Sequence, residues 1–116
     1  MSKVQRFYAN RRLSEISVHN GVAYLAGQVP EHTDTDAYAQ TQEVLALIDT
    51  LLSSLGSHKS NILNAQIFLA DMADYAQMNR AWDEWVDADN PPSRATVEAR
   101  LADPNWKVEI VIQAAV

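Results

Sequence analysis

The sequence predicts an α+β domain in which two helices cover one face of a mixed β-sheet, with the element order ββαβαββ. Three observations carry that expectation. Short segments alternate apolar and polar residues, two longer segments repeat apolar residues at helical spacing, and turn-forming residues stand between them. The chain has 116 residues, which makes one domain over 1–116 with no room for a second. Hydrophobic residues make up 47% and charged residues 21%, so the chain falls with ordinary globular folds and outside the disordered and fibrous classes.

The first strand spans residues 14–18, where Ile16 and Val18 alternate with polar neighbours, and the second spans 22–25. Between them His19-Asn20-Gly21 supplies a hairpin turn, because Asn and Gly both accept the positive φ that such a turn requires. Pro30 and the polar run 31–35 read as a loop, after which Asp34 or Asp36 caps a helix through its carboxylate. Val44, Leu45, Leu47, Ile48, Leu51, Leu52 and Leu55 form the apolar face of that helix, and Gly56 marks its end. Residues 61–70 are rich in Ile, Leu and Phe and short enough for a strand. Asp71 then caps a second helix with Tyr75, Met78, Trp82, Trp85 and Val86 three or four residues apart, closed by Asn90-Pro91-Pro92. Two strands finish the chain. Residues 94–101 put Ala95, Val97, Ala99 and Leu101 on an apolar face and Arg94, Thr96, Glu98 and Arg100 on a polar one. Residues 107–115 put Val108, Ile110, Ile112 and Ala114 on one face and Glu109, Val111 and Gln113 on the other.

Two helices cover only one side of such a sheet. The other side is expected to carry a mixture, Arg94, Thr96 and Val111 among it, that suits neither water nor a closed core. A second copy of the chain is the natural cover, so the sequence predicts a homo-oligomer with any polar site between subunits.

Several chemistries are excluded or disfavoured. Without cysteine there is no thiolate nucleophile, iron–sulfur cluster or cysteine-bound zinc. His19, His32 and His58 lie in expected turns without metal-ligand spacing, so no metal is expected. The three glycines, Gly21, Gly27 and Gly56, are isolated and build no phosphate loop, and no serine sits in a Gly-x-Ser-x-Gly elbow. Net charge of −6 argues against a partner held through phosphates, so no nucleic acid is expected. No apolar run approaches the roughly 20 residues of a membrane helix, so no membrane association is expected. Without the apolar core of a signal peptide near Met1, the expected location is cytoplasmic. The stripe Tyr75, Met78, Trp82, Trp85 has the spacing of a core face, and Asp83, Glu84, Asp87 and Asp89 that of a solvated one.

One segment asks for more. Pro91-Pro92 fixes the start of a strand, Arg94 follows on its polar side, and Glu109 lies on the polar side of the last strand. A rigidly mounted guanidinium fork is suited to a small carboxylate, and a nearby glutamate to holding a water or accepting a proton. Composition alone favours the plainer reading, a salt bridge between the two, in or between subunits.

The run Pro92-Ser93-Arg94-Ala95-Thr96-Val97, continued by Arg100-Leu101-Ala102 and Val108-Glu109-Ile110, resembles the C-terminal signature of the RidA/YjgF family of enamine/imine deaminases. Gly27-Gln28-Val29-Pro30 resembles its Ser-Gly-Gln-Ile-Pro segment, Leu55-Gly56 its helix end, and Asp74-Tyr75-Ala76-Gln77-Met78-Asn79 its Asp-Phe-x-x-Val-Asn segment. The substitutions look closest to the YoaB-like branch. The resemblance spans nearly the whole chain and implies a homotrimer of chorismate-mutase-like subunits with clefts at the interfaces. It further implies hydrolysis of a 2-imino or 2-enamino acid to a 2-oxo acid and ammonia, without a cofactor. By position, Arg94 would anchor the carboxylate and Glu109 would orient or activate water. The Thr96 and Gly27 backbones and Asn79 would line the cleft.

The departures lie in the same pocket. Leu13 stands at the family's pocket tyrosine, Ala26 at a position often serine, and Thr96 where well-known members carry cysteine. Two polar pocket groups thus become apolar, which changes what fits. A small-carboxylate or metabolite-binding protein without turnover is therefore the alternative to the deaminase.

Overall fold

The computed structural model describes residues 3–116. The strands are β1 (Gln5–Ala9), β2 (Ser14–His19), β3 (Val22–Leu25), β4 (Ile62–Leu69), β5 (Ser93–Glu98) and β6 (Val108–Ala115). The helices are α1 (Ala37–Ser54) and α2 (Tyr75–Trp85), with short 3-10 turns at Lys59–Asn61 and Met72–Asp74. One six-stranded sheet runs in the order β1-β2-β3-β6-β4-β5. Only β4 and β5 pair in parallel.

The α+β class and the elements expected from the sequence are present, with one strand added. β1 makes the order βββαβαββ. It pairs antiparallel with β2, Arg6 opposite Ser17 and Phe7 opposite Ile16. Its sequence hides it, because every residue but Phe7 is exposed and a strand at a sheet edge needs little apolar alternation. The β1–β2 turn also lacks glycine. It is built by the Asn10 side chain, whose Oδ1 accepts the N–H groups of Arg12 and Leu13 at 2.7 and 2.9 Å.

The β2–β3 hairpin turns on Asn20 (φ 51°) and Gly21 (φ 77°), the left-handed geometry that Asn-Gly predicts. Of the two candidate caps for α1 it is Asp36 that accepts the Ala39 N–H, at 2.8 Å. The helix stops at Leu55, with Gly56 at φ 69° and the Ser57 N–H returning to the Leu52 carbonyl at 2.9 Å. Asp71 caps the 3-10 turn rather than α2 itself. α2 ends at Trp85, where Val86 turns extended, so the helix stops earlier than the prolines require. The Asp87 carboxylate orders the stretch that follows, accepting from Asn90 and the Asp89 N–H, and these hydrogen bonds hold it below the usual range.

The core lies between the helices and one sheet face. Val44, Ile48 and Leu52 of α1 and Met78 of α2 meet Ile16, Ile67, Leu69, Val108, Ile110 and Ile112 of the sheet, all essentially inaccessible to water. Gln40 of α1 is equally buried, and its amide is fully used. Oε1 accepts the Lys107 N–H at 2.8 Å and Nε2 donates to the Asn105 carbonyl at 3.2 Å, tying α1 to the chain entering β6.

The faces of β5 reverse the sequence expectation. Arg94 and Thr96 stand opposite Ala65 and Ile67, which are buried on the helix side, whereas Ala95 and Val97 face the open side, with Val97 47% exposed. Alternation identifies two faces of a strand but not which one turns inward. Here the parallel register with β4 decides it, and α2 supplies polar partners to the side it covers. The strand also ends at Glu98, short of residues 99–101.

The loop before α1 is fastened by Glu43. Its carboxylate accepts the N–H groups of Glu31 and His32 at 2.6 and 3.2 Å and faces His32 Nδ1 at 3.3 Å. Burial pushes the Glu43 carboxyl up, but those N–H groups and the imidazole together hold it below its usual value. A carboxyl lowered on folding stabilises above its unfolded pKa, and the contribution is lost as pH falls through the folded value. Glu43→Ala should therefore lower Tm by roughly 3–6 °C near neutral pH. In thermal melts the gap to wild type should close as the pH drops below the ordinary carboxylate range.

Candidate functional site

The residues singled out by the sequence gather in two groups, one on each face of the sheet. The first lies between β5 and α2. Arg94 projects toward α2, where Nη1 donates to Asn79 Oδ1 at 2.8 Å and Nη2 reaches the Tyr75 hydroxyl at 3.4 Å. The guanidinium carbon lies 5.3 Å from the centre of the Trp82 ring. Helical geometry sets this cradle, because Tyr75, Asn79 and Trp82 fall on one face of α2 at i, i+4 and i+7. Thr96 follows Arg94 on the same face, and its Oγ1 is buried with no hydrogen-bond partner.

The second group lies at Gly27 and Glu109. A Cβ at Gly27 would sit 2.0 Å from Glu109 Oε2 and 2.8 Å from Cδ, so the carboxylate rests directly on the glycine backbone. That approach is held by the neighbouring residue. The Gln28 N–H donates to the Ile110 carbonyl at 2.9 Å, and the Ile110 N–H donates back to the Gln28 carbonyl at 3.1 Å. Gln28 is itself buried, its Nε2 bound to Glu15 Oε2 at 2.8 Å and the Ala26 carbonyl at 3.0 Å. Gly27 also borders a cleft of about 430 Å³ shared with Glu15, Pro30 and Trp106. Ala26 precedes it, its N–H on the Glu15 carbonyl. Leu13, 44% exposed in the β1–β2 turn, lies at the same end of the sheet by continuation of the β2–β3 register.

Within one chain the two groups do not meet. Arg94 stands opposite Ala65, which stands opposite Ile112, while Glu109 stands opposite Phe68. Arg94 and Glu109 are thus two strands apart and three residues out of step, about 10 Å in each direction, and point to opposite faces. An Arg94–Glu109 salt bridge within one chain is therefore excluded. The two ion pairs among the described residues, His32–Glu43 and Arg80–Glu84, involve neither.

Two of the three histidines have local work. His32 meets Glu43, and His58 Nδ1 accepts the Ser60 N–H at the 3-10 turn. Among the described residues no three His, Cys, Asp or Glu side chains are grouped to hold a metal, and no helix is long and apolar enough to cross a membrane. The aromatic stripe of α2 divides. Met78 and Trp82 are buried, whereas Tyr75 is 43% exposed beside Arg94. Its part in the Arg94 cradle is the feature that spacing alone concealed, because a core stripe and a cradle share the same period.

A single six-stranded sheet backed by two helices is the chorismate-mutase-like architecture of YjgF proteins. The Endoribonuclease L-PSP family model matches residues 3–116, and the chain belongs to this family, the RidA/YjgF family. It is 70% identical over 112 residues to a RutC family protein of Haemophilus influenzae, covering 96% of this chain and 97% of the relative. It is 51% identical over 113 residues to the RutC family protein YoaB of Escherichia coli, covering 97% and 98%. A crystal structure of a YjgF family member from Neisseria meningitidis superposes with a TM-score of 0.94 at 49% identity, covering 97% of this chain and 94% of that one.

The close seat of Glu109 yields a direct test. In a crystal structure of Gly27→Ala, the Glu109 carboxylate should be displaced by about 1.5 Å or more to restore ordinary contact distance, with the Gln28–Ile110 bridge intact. An unmoved carboxylate would contradict the geometry.

Proposed function

We propose that the protein hydrolyses reactive 2-imino or 2-enamino acids to 2-oxo acids and ammonia, at clefts between the subunits of a homotrimer. The observation that carries this reading is the division of the site. Arg94 is braced and pre-oriented on one sheet face, Glu109 is seated against bare backbone on the other, and only residues from two copies bring such groups together. The uncovered face supports the same reading, since Tyr24 and Val97 are about half exposed on it beside the outward side of β6.

In this cleft the guanidinium of one subunit holds the substrate carboxylate through hydrogen bonds that Asn79 leaves free. Glu109 of the adjoining copy orients a water and accepts its proton as the oxygen attacks C2 of the imine. Glu109 passes that proton on to the imine nitrogen, giving a tetrahedral carbinolamine. Transfer of the hydroxyl proton to the same nitrogen, again through Glu109, expels ammonia as the carbonyl forms and leaves the 2-oxo acid and an ionised Glu109. The substrate is already an activated electrophile, so positioning and one proton acceptor account for the catalysis. The Gly27 and Thr96 backbones line the pocket, and Leu13 and Ala26 present apolar surface to the substrate side chain. That apolar surface is also what favours the second reading, a binding protein that holds 2-oxo acids without turning imines over.

Adding the protein to an amino-acid dehydratase reaction should hasten loss of the imine, followed optically after semicarbazide trapping. Arg94→Ala should abolish both binding and acceleration, while Glu109→Gln should retain 2-oxo acid binding and lose acceleration. If each cleft draws the two groups from neighbouring copies, co-folding equal amounts of the two inactive variants should restore about a quarter of the wild-type rate per subunit. No acceleration by a trimeric wild-type protein, with binding intact, would establish the second reading instead.

A further inference from the structure

Arg94 has more around it than an anchor requires. Asn79 takes one hydrogen of Nη1 at 2.8 Å and the Trp82 ring supports the guanidinium from 5.3 Å, which together fix its plane. The Tyr75 hydroxyl stands at the other terminal nitrogen, 3.4 Å from Nη2, at the long end of hydrogen-bond range. Tyr75 is also the residue of the α2 aromatic stripe that stays open to solvent. A phenol that accepts from a guanidinium keeps its own proton to donate. Beside a fixed cation, the acceptor that completes the arrangement is an anionic oxygen.

We propose that Tyr75 is a specificity-determining residue of this site, donating its hydroxyl proton to the carboxylate that Arg94 holds. The inference rests on the reading of Arg94 as carboxylate anchor and adds a second donor to it. The acid is then recognised by guanidinium and phenol together, and a neutral amide of the same shape lacks the charge and one of the two acceptor oxygens. The hydroxyl is a departure of this chain, since the segment it resembles carries phenylalanine there. It places a polar group back into a pocket that has Leu13 and Ala26 at two of its polar positions.

The test is calorimetric titration of wild type, Tyr75→Phe and Arg94→Ala with 2-oxobutanoate and with 2-oxobutanamide, alongside tyrosine ultraviolet difference spectra. Tyr75→Phe removes one oxygen from a half-exposed ring, and circular dichroism checks that the fold is kept. The acid should bind Tyr75→Phe about tenfold more weakly than wild type, with the weak binding of the amide unchanged. The difference spectrum produced by the acid in wild type should vanish in Tyr75→Phe and persist in Asn79→Ala at saturating acid, since Asn79 bonds Arg94 Nη1 and not the Tyr75 hydroxyl. Acid affinity within twofold of wild type, or a difference spectrum that survives in Tyr75→Phe, overturns the assignment to Tyr75 alone. A wild-type protein that binds no acid overturns the anchor reading and this inference with it.

Discussion

The uncovered face of the sheet is the constraint on which the rest depends. Six strands present two faces, and the chain has two helices, both on the same side. Ile16, Ile67, Ile110 and Ile112 fill the space beneath those helices, and burial of that apolar area is the main stabilising contribution within the chain. The other face carries Glu109 and Val97 with no helix of the described residues over it. The core and the Arg94 cradle thus share the covered side, and Glu109 stands on the side its own helices leave open.

Arg94 and the Gly27 backbone are each held by a neighbour with a separate structural duty. Asn79 belongs to α2, whose Met78 and Trp82 are core, so the brace on Arg94 is as rigid as the helix packing. Gln28 closes the bridge to Ile110, so the glycine beneath Glu109 keeps its position through backbone hydrogen bonds and not through loop conformation. Gln40 performs the same service for the chain entering β6. Groups fixed in this way lose little freedom on binding, and preorganisation of that kind favours both affinity and catalysis.

Much of this was legible in the residues, and what was not has physical causes. Asn20-Gly21, Asp36 and Gly56 act through local backbone geometry, so they could be read directly, as could the helical face of α1. β1 could not, because an exposed edge strand carries almost no alternation and its turn depends on a side chain, Asn10. The inward side of β5 was also hidden, since Ala95 and Val97 look like a core face until the pairing with β4 turns Arg94 and Thr96 beneath α2. Arg94 and Glu109 stood out by residue type and position, whereas the expected parts of Asn79 and Gly27 came from resemblance to a family. Their separation onto two faces of one sheet is a property of topology, which no local pattern contains.

The parallel pairing of β4 with β5 bears on how the molecule assembles in time. Antiparallel neighbours such as β2 and β3 close through a two-residue turn, whereas two parallel strands must be joined by a crossover that leaves the sheet and returns. Here the crossover contains α2, so the strand bearing Arg94 reaches the sheet through the helix bearing Asn79. Contacts distant along the chain form slowly, because the entropy of closing the intervening loop is lost first. Asn64 and Ser93 of β4 and β5 are much nearer in sequence than Val22 and Ala115 of β3 and β6, so the strand bearing Arg94 meets its neighbour at a smaller entropic cost than the pairing that completes the sheet.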